Sequence, residues 1–416
     1  MPTPVTYAPA KQFLGIANET TMGAAVAPSF TQLIDSLKPS DKPTFLKDQA
    51  WRGSMGTNAF NQVAGVKHAE LDLGGPLFGD GINFFFRNIM GDVAVVGTPT
   101  GSGSTTLSAL AAVGATTIST VASIPAATVI QIGSGATAEC FTTGTPSGSG
   151  PYTIPLSSPT GGLAFAHASA QAVVPVIGPY TYAWSLLNSG TGQPIAHTLT
   201  HYLGPTATVG ARAYPGFCLT GLDLKFNAES ALYTWDGKGV SWPSVIAAST
   251  PTANGTAIKP IASWQTLIGI GGPASGGTLV NTVSDGEINL MREAVPVFTA
   301  NGAQVPYIIQ RGQFNATGKF SFTAVSDESA LLYMLNNTQP QVQIVTTNGL
   351  AGTNLITITV DMAQAAFVTS DVDTSKTSVG YSTSFEPVFN TTNAGGSGGQ
   401  SPIRISVTCN VTPGTF

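Results

Sequence analysis

Strand-forming segments limit what this chain can become more than any other feature. HTLTHYL (197–203), FCLTGLDLKF (217–226), KFSFTAV (319–325), VQIVT (342–346), LITITVDM (355–362) and IRISVTCNV (403–411) either alternate with period two or are rich in β-branched and aromatic residues. Such runs suit pleated, half-buried backbone. The expected fold class is therefore mainly β. In 217–239, FCLTGLDLKFNAESALYTWDGKG, two strands flank a polar break and neither face is plainly the inside. Both sides of that hairpin need covering.

Two stretches break the pattern and read as helices of about three turns each. In FGDGINFFFRNIMG, Asp80 is the expected N-cap, Ile82, Phe85, Phe86 and Ile89 form one apolar face, and Gly91 supplies the stop. In SDESALLYMLNN, Ser326 is the expected N-cap. Asp327 and Glu328 sit where the helix dipole favours acids, and Leu331, Met334 and Leu335 are apolar.

The order strand, helix, hairpin recurs. VKHAELDLG (66–74) precedes the first helix, and HTLTHYL with FCLTGLDLKF follows it. GQFNATGKFSFTAV precedes the second, followed by VQIVT, LITITVDM and GYSTSFEPVF. This predicts one β fold with a flanking helix, present twice, over 1–97 plus 179–240 and over 241–416. Residues 98–178 stand apart, rich in Gly, Ala, Ser and Thr with almost no charge. ATTIST, ATVIQIG, AECFTTG and YTIPL within it read as short strands of a small inserted all-β module projecting from the body.

A chain of 416 residues is long enough for two to three domains. Only 9% of residues are charged, against about 25% in an average soluble domain. Mean hydropathy is +0.20. Charge is what keeps neighbouring molecules apart, so much of this surface is expected to be buried in an assembly. A net charge of −5 argues against a protein that clamps nucleic acid, which needs Lys and Arg against phosphates. MPTPVTYAPAKQF has neither the basic nor the apolar part of a signal peptide, and no apolar run of about 18 residues appears, so no membrane partner is expected.

Residues that could carry chemistry do not converge. His197 and His201 are spaced four apart, but on a strand that separates them by ~13 Å, too far for one metal. Cys140, Cys218 and Cys409 are widely spaced and are expected as buried small hydrophobes, not disulfides. GGSGG (395–399) matches the G-x-S-x-G nucleophile pattern by letter, yet lies in an Asn/Gly/Ser run that reads as a flexible loop. GSGSTT (101–106) lacks the Lys of a phosphate loop. The nearest approach to a carboxylate group is Asp223, Glu229 and Asp236, expected to face solvent or a lumen. No enzyme, cofactor or metal is expected.

Sheets have edges whose unpaired N–H and C=O groups will pair with a neighbour, which points to a structural subunit. GIANETTMGAAVAPSF (15–30) resembles the opening of the tail tube (major tail) proteins of long-tailed, non-contractile bacteriophages, with Gly15, Glu19, Thr20, Gly23 and Pro28 matching and Met22 where an aromatic is common. HTLTHYLG with RAYPGFCLTGLDLKFNAESALYTWDGKG resembles that family's central hairpin, led by Tyr214 and Gly216.

The resemblance implies a β-sandwich or barrel with a helix packed on it, whose sheets join between neighbours into rings stacked as a tube. The partners it implies are other copies of the chain, in trimeric pseudo-hexameric or hexameric rings. It also implies tape measure protein and genome DNA in the lumen without specific binding, and tail completion and distal tail proteins at the ends. Its place would be the virion, after assembly in the host cytoplasm. Asp223, Glu229 and Asp236 become candidates to face the lumen. The loop 45–65, with Lys47, Asp48, Trp51 and Arg52, and the arm 1–30 become candidates for ring-to-ring contact. Capsid or decoration proteins and secreted β-rich adhesins or carbohydrate-binding proteins share the composition and are the competing classes.

Overall fold

The computed structural model describes residues 12–416 apart from 51, 54, 56–60, 160, 204–210, 230, 248–257, 277, 325–328 and 375–378. In chain order the strands of the first half are β1 (Phe13–Asn18), β2 (Phe30–Gln32), β3 (Ser36–Asp48), β4 (Asn61–Pro76), β5 (Gly91–Pro99), β6 (Thr105–Thr106), β7 (Thr117–Thr120), β8 (Val129–Ile132), β9 (Glu139–Thr143), β10 (Tyr152–Ser158), β11 (Ala172–Leu186), β12 (His197–Tyr202), β13 (Ala211–Asn227) and β14 (Thr234–Ser241). There follow β15 (Val245–Ile246), β16 (Thr266–Ile270), β17 (Val283–Val297), β18 (Ile308–Thr323), β19 (Val342–Thr347), β20 (Thr357–Met362), β21 (Ala365–Asp373), β22 (Gly380–Pro387) and β23 (Arg404–Cys409). Helix α1 (Asn83–Ile89) follows β4, and α2 (Ser329–Leu335) follows β18.

The fold is mainly β, in two sheets. One contains the run β3-β4-β14-β13-β17-β18-β22-β21, all antiparallel, with β12, β1 and β2 continuing from the other half of β13. The second runs β16-β19-β20-β23-β11-β8-β9-β10-β7, with β5 and β6 also on β11.

Alternation decides which side chains go inward. On β14, Trp235 is buried while Asp236 and Lys238 are exposed; on β20, Ile358, Val360 and Met362 are buried between half-exposed Thr357, Thr359 and Asp361. The inward faces of both sheets meet in one apolar core, with α1 inside it. Phe84, Phe85 and Phe86 have no exposed surface. Burying one such side chain contributes about 1.5–3 kcal/mol.

Helix α1 also repairs a break in the sheet. β13 pairs with β12 through its first half and with β14 through its second, and its register shifts on both sides near Phe217–Gly221. Asn88 covers the exposed backbone there: its Nδ2 donates to Phe217 O at 2.9 Å and its Oδ1 accepts the Leu219 N–H at 2.8 Å. Arg292 Nη1 donates to Ile89 O at 3.0 Å, and Arg311 donates to Asn88 O. These buried cations sit at the helix C-terminus, where the macrodipole is negative.

Several expectations are corrected. α1 starts at Asn83 after Ile82, which gives no side-chain cap, and Asp80 lies in the preceding turn instead of at the N-cap. Each helix has 7 residues, about two turns. Ser326, Asp327 and Glu328 lie outside the described residues. β12 and β13 do pair after α1, but β5, paired with β11, comes directly after the helix. Among the described residues, the two ends of the stretch 45–65 are strand, with Phe45 facing Ala64 and Asp48 facing Asn61 in the β3–β4 ribbon. Residues 107–173 surround an apolar cluster of their own, including Ile118, Ile130, Phe141 and Ile154, joined to the body through β11.

Candidate functional site

The outward face of the first sheet is largely polar, because strand alternation places Asp223, Lys225, Asp236, Lys238, Glu287 and Asn289 on it. Asp223 on β13 lies opposite Asp236 on β14 and Asn289 on β17. One register step away, Lys225 lies opposite Thr234 and Glu287. Lys225 Nζ stands 3.0 Å from Asp236 Oδ2, 3.4 Å from Glu287 Oε1 and 3.8 Å from Asp223 Oδ2. Asn289, with its amide turned to donate, reaches Asp223 Oδ1 and Glu287 Oε1, both at 2.9 Å.

Partial burial pushes the Asp223 carboxyl above its ordinary value, against the attraction of Lys225. For Lys225 burial works against the charge, but the hydrogen bond and charge of Asp236, with Glu287 and Asp223 behind it, hold the ammonium above its ordinary value. The structure thus brings Asp223 and Asp236 together and leaves Glu229 out, in the turn beyond β13, where its N–H donates to Asn227 Oδ1 at 3.0 Å. Lys225 and Glu287 were missed by the sequence reading. The period-two spacing of Asp223 and Lys225 already placed them on one face, but Glu287 is brought there by a long-range pairing.

The far half of the β3–β4 ribbon carries Phe45, Leu46 and Val63, each about 60% exposed. Lys47 faces Gln62, and Asp48 pairs with Arg52. Trp51 lies outside the described residues. On the hairpin β17–β18, Ala294 and Ile309 pack with Ala196, Cys218 and Trp242.

The amino-terminal motif is a latch. Glu19 is buried, and its carboxylate accepts from Thr198 Oγ1 at 2.6 Å and from the Gly216 and Gly23 N–H groups at 2.7 and 2.8 Å. Gly23 (φ +83°) and Gly216 (φ +66°) have backbone conformations that disfavour a side chain, and a Cβ on either would strike Trp242. Gly15 leaves room for the Pro28 ring in the same way. Burial raises the Glu19 carboxyl above its ordinary value, and its three hydrogen bonds oppose the shift.

The remaining reactive groups are tied to structure. Cys140, Cys218 and Cys409 are buried and free, as expected. His197 Nδ1 meets Asn88 Nδ2 at 2.6 Å, and His201 Nε2 meets Gln12 Oε1 at 3.2 Å. Among the described residues no group of three His, Cys, Asp or Glu could hold a metal ion, and no helix is long and apolar enough to cross a membrane. Ser397 donates through both N and Oγ to Asp92 Oδ2, at 2.9 and 2.6 Å, and its hydroxyl accepts the Asn188 N–H, so the GGSGG loop is pinned in place.

Residues 105–411 match the family described as Phage tail tube protein. The chain belongs to that family. As a tail tube protein it is a structural component of the phage tail and of the virion, and the capsid and adhesin classes fall away. No curated protein matches the chain. The matched stretch includes 105–178, which the sequence reading set apart, and leaves the latch residues Gly15 to Pro28 outside it. The tail tube family is a structural protein family, not an enzyme family.

Proposed function

We propose that this tail tube protein self-assembles into rings that stack into the tail tube of a long-tailed, non-contractile phage, the conduit for genome DNA during ejection. One observation carries the reading. The order β3-β4-β14-β13 recurs as β17-β18-β22-β21, and the two sets are already hydrogen-bonded to each other through β13 and β17. Helix α1 follows β4 and packs on β13; α2 follows β18 and packs on β21. The repeat supports one fold present twice, over 1–97 plus 179–240 and 241–416, so that three chains supply the six folds of a pseudo-sixfold ring. Residues 98–178 are then a module on the tube exterior.

The polar face of the joined sheet lines the lumen in this reading, with Asp223 and Asp236 on the wall and Glu229 at its rim. The wall is not simply acidic. Asp72 lies between Lys38 and Lys238, and Glu287 between Lys225 and Lys319. Each lysine has a carboxylate beside it, so the wall offers phosphates no cluster of free cations and DNA slides past. Tape measure protein occupies the same lumen before ejection, and tail completion and distal tail proteins close the ends. The ribbon bearing Lys47 and Asp48, with Trp51 and Arg52 following in sequence, is the candidate contact with the next ring.

The test is negative-stain electron microscopy of the purified protein at rising concentration, with light scattering alongside. Hollow tubes of constant bore, or rings of threefold or sixfold symmetry, are expected. Closed shells, or a monomer persisting at high concentration, would count against it.

A further inference from the structure

The internal joint between β13 and β17 has a counterpart in the edge strands β3 and β21, which among the described residues pair only with β4 and β22. The last residues of the strands before each helix, Pro76 and Thr323, serve to align the two halves. Gly74 then matches Ser321, and their neighbours on one side, Ser36 and Asp285, match each other. On the other side Asp236 matches Ser382, and beyond them Asp223 matches Asp371. In the joint Asp223 lies opposite Asn289 and Lys225 opposite Glu287. The positions matching Asn289 and Glu287 on β3 are Ser40 and Lys38.

We infer that β21 of one chain pairs antiparallel with β3 of a second copy, with Asp371 opposite Ser40 and Asp373 opposite Lys38. This inference rests on the tube reading and specifies its ring joint. Three observations support it. The charges are complementary at the position where the internal joint holds Lys225 and Glu287, with the signs exchanged between the strands. Val372, which matches the fully buried Leu224, is 61% exposed, as it would be if its cover were a second copy. Helix α1 touches β17 across the internal joint, whereas α2, packed on the edge strand β21, leaves Leu332 and Leu335 exposed. Pro39 and Pro43 lack the N–H that a ladder uses, which discourages indiscriminate edge pairing and leaves register to the side chains.

The test is oxidative cross-linking of the assembled full-length chain carrying Ser40→Cys with Asp371→Cys. The natural cysteines are buried. Covalent chain-to-chain species on a non-reducing gel are expected. The control pair, Ser36→Cys with Thr369→Cys, is displaced along the strands by ~20 Å in this register and should stay unlinked. Asp373→Lys should raise the concentration needed for ring formation about tenfold, and adding Lys38→Asp should restore it. Melting of each variant as a monomer controls for folding. Tubes without the cross-link, equal cross-linking of the control pair, or no rescue by the double reversal would overturn this joint while leaving the tube reading intact. A wild-type chain that forms neither rings nor tubes would overturn both.

Discussion

Glu19 Oε1 accepts the Gly216 N–H at 2.7 Å across 197 positions of sequence, while Glu19 Oε2 takes the Gly23 N–H four residues away at 2.8 Å. One buried carboxylate therefore fastens the amino-terminal arm to the bend of β13. Replacing Glu19 by Ala should destabilise the monomer by about 3 kcal/mol, because it strands buried donors. Urea unfolding of the variant measures this directly.

The same carboxylate predicts a pH effect of definite sign. Burial raises its folded-state value above the unfolded one. In that window the folded chain holds more protons than the unfolded chain, so Glu19's contribution is greatest at low pH and declines as pH rises through the folded value. The stability difference between wild type and Glu19→Gln should shrink as pH is raised from about 4 toward neutrality. A difference that grew with pH would contradict the assignment.

Gly216→Ala is expected to cost about 3 kcal/mol. The backbone at φ +66° disfavours a side chain, and the new Cβ would fall 2.1 Å from Trp242 Cε3. Thermal melting reads the loss, and Gly302→Ala, at φ +77° with nothing within 4 Å, separates strain from clash.

Phe45→Ser with Leu46→Ser should leave monomer stability within about 0.5 kcal/mol, since both side chains are already in water. Assembly should suffer, because the ribbon's apolar surface is then no longer available to a neighbouring copy. Melting and electron microscopy of the same sample make the comparison.

Native protein should react with a thiol reagent at none of its three cysteines, and at all three in guanidinium. Burial pushes the Cys140 and Cys409 thiols up to about 12 and raises Cys218 as well, so little nucleophilic thiolate exists at neutral pH. Ellman titration with and without denaturant settles it.

Local chemistry by itself determined the strands, the presence of both helices, the burial of the cysteines and the low charge. Period-two alternation reports which face of a strand is apolar, as with Asp223 and Lys225 set against Leu222 and Leu224. Tertiary structure alone decided which strands pair. Nothing near Lys225 in sequence signals that Glu287 will lie 3.4 Å away, or that Phe45–Asp48 will pair with residues 61–64. Helix α1 is buried and α2 partly exposed for a similar reason. Both have apolar faces, but α1 lies between two sheets that the rest of the chain assembles around it, whereas α2 lies at the sheet's last strand. Pairing and burial of this kind depend on contacts between residues far apart in the chain, which local propensity does not record.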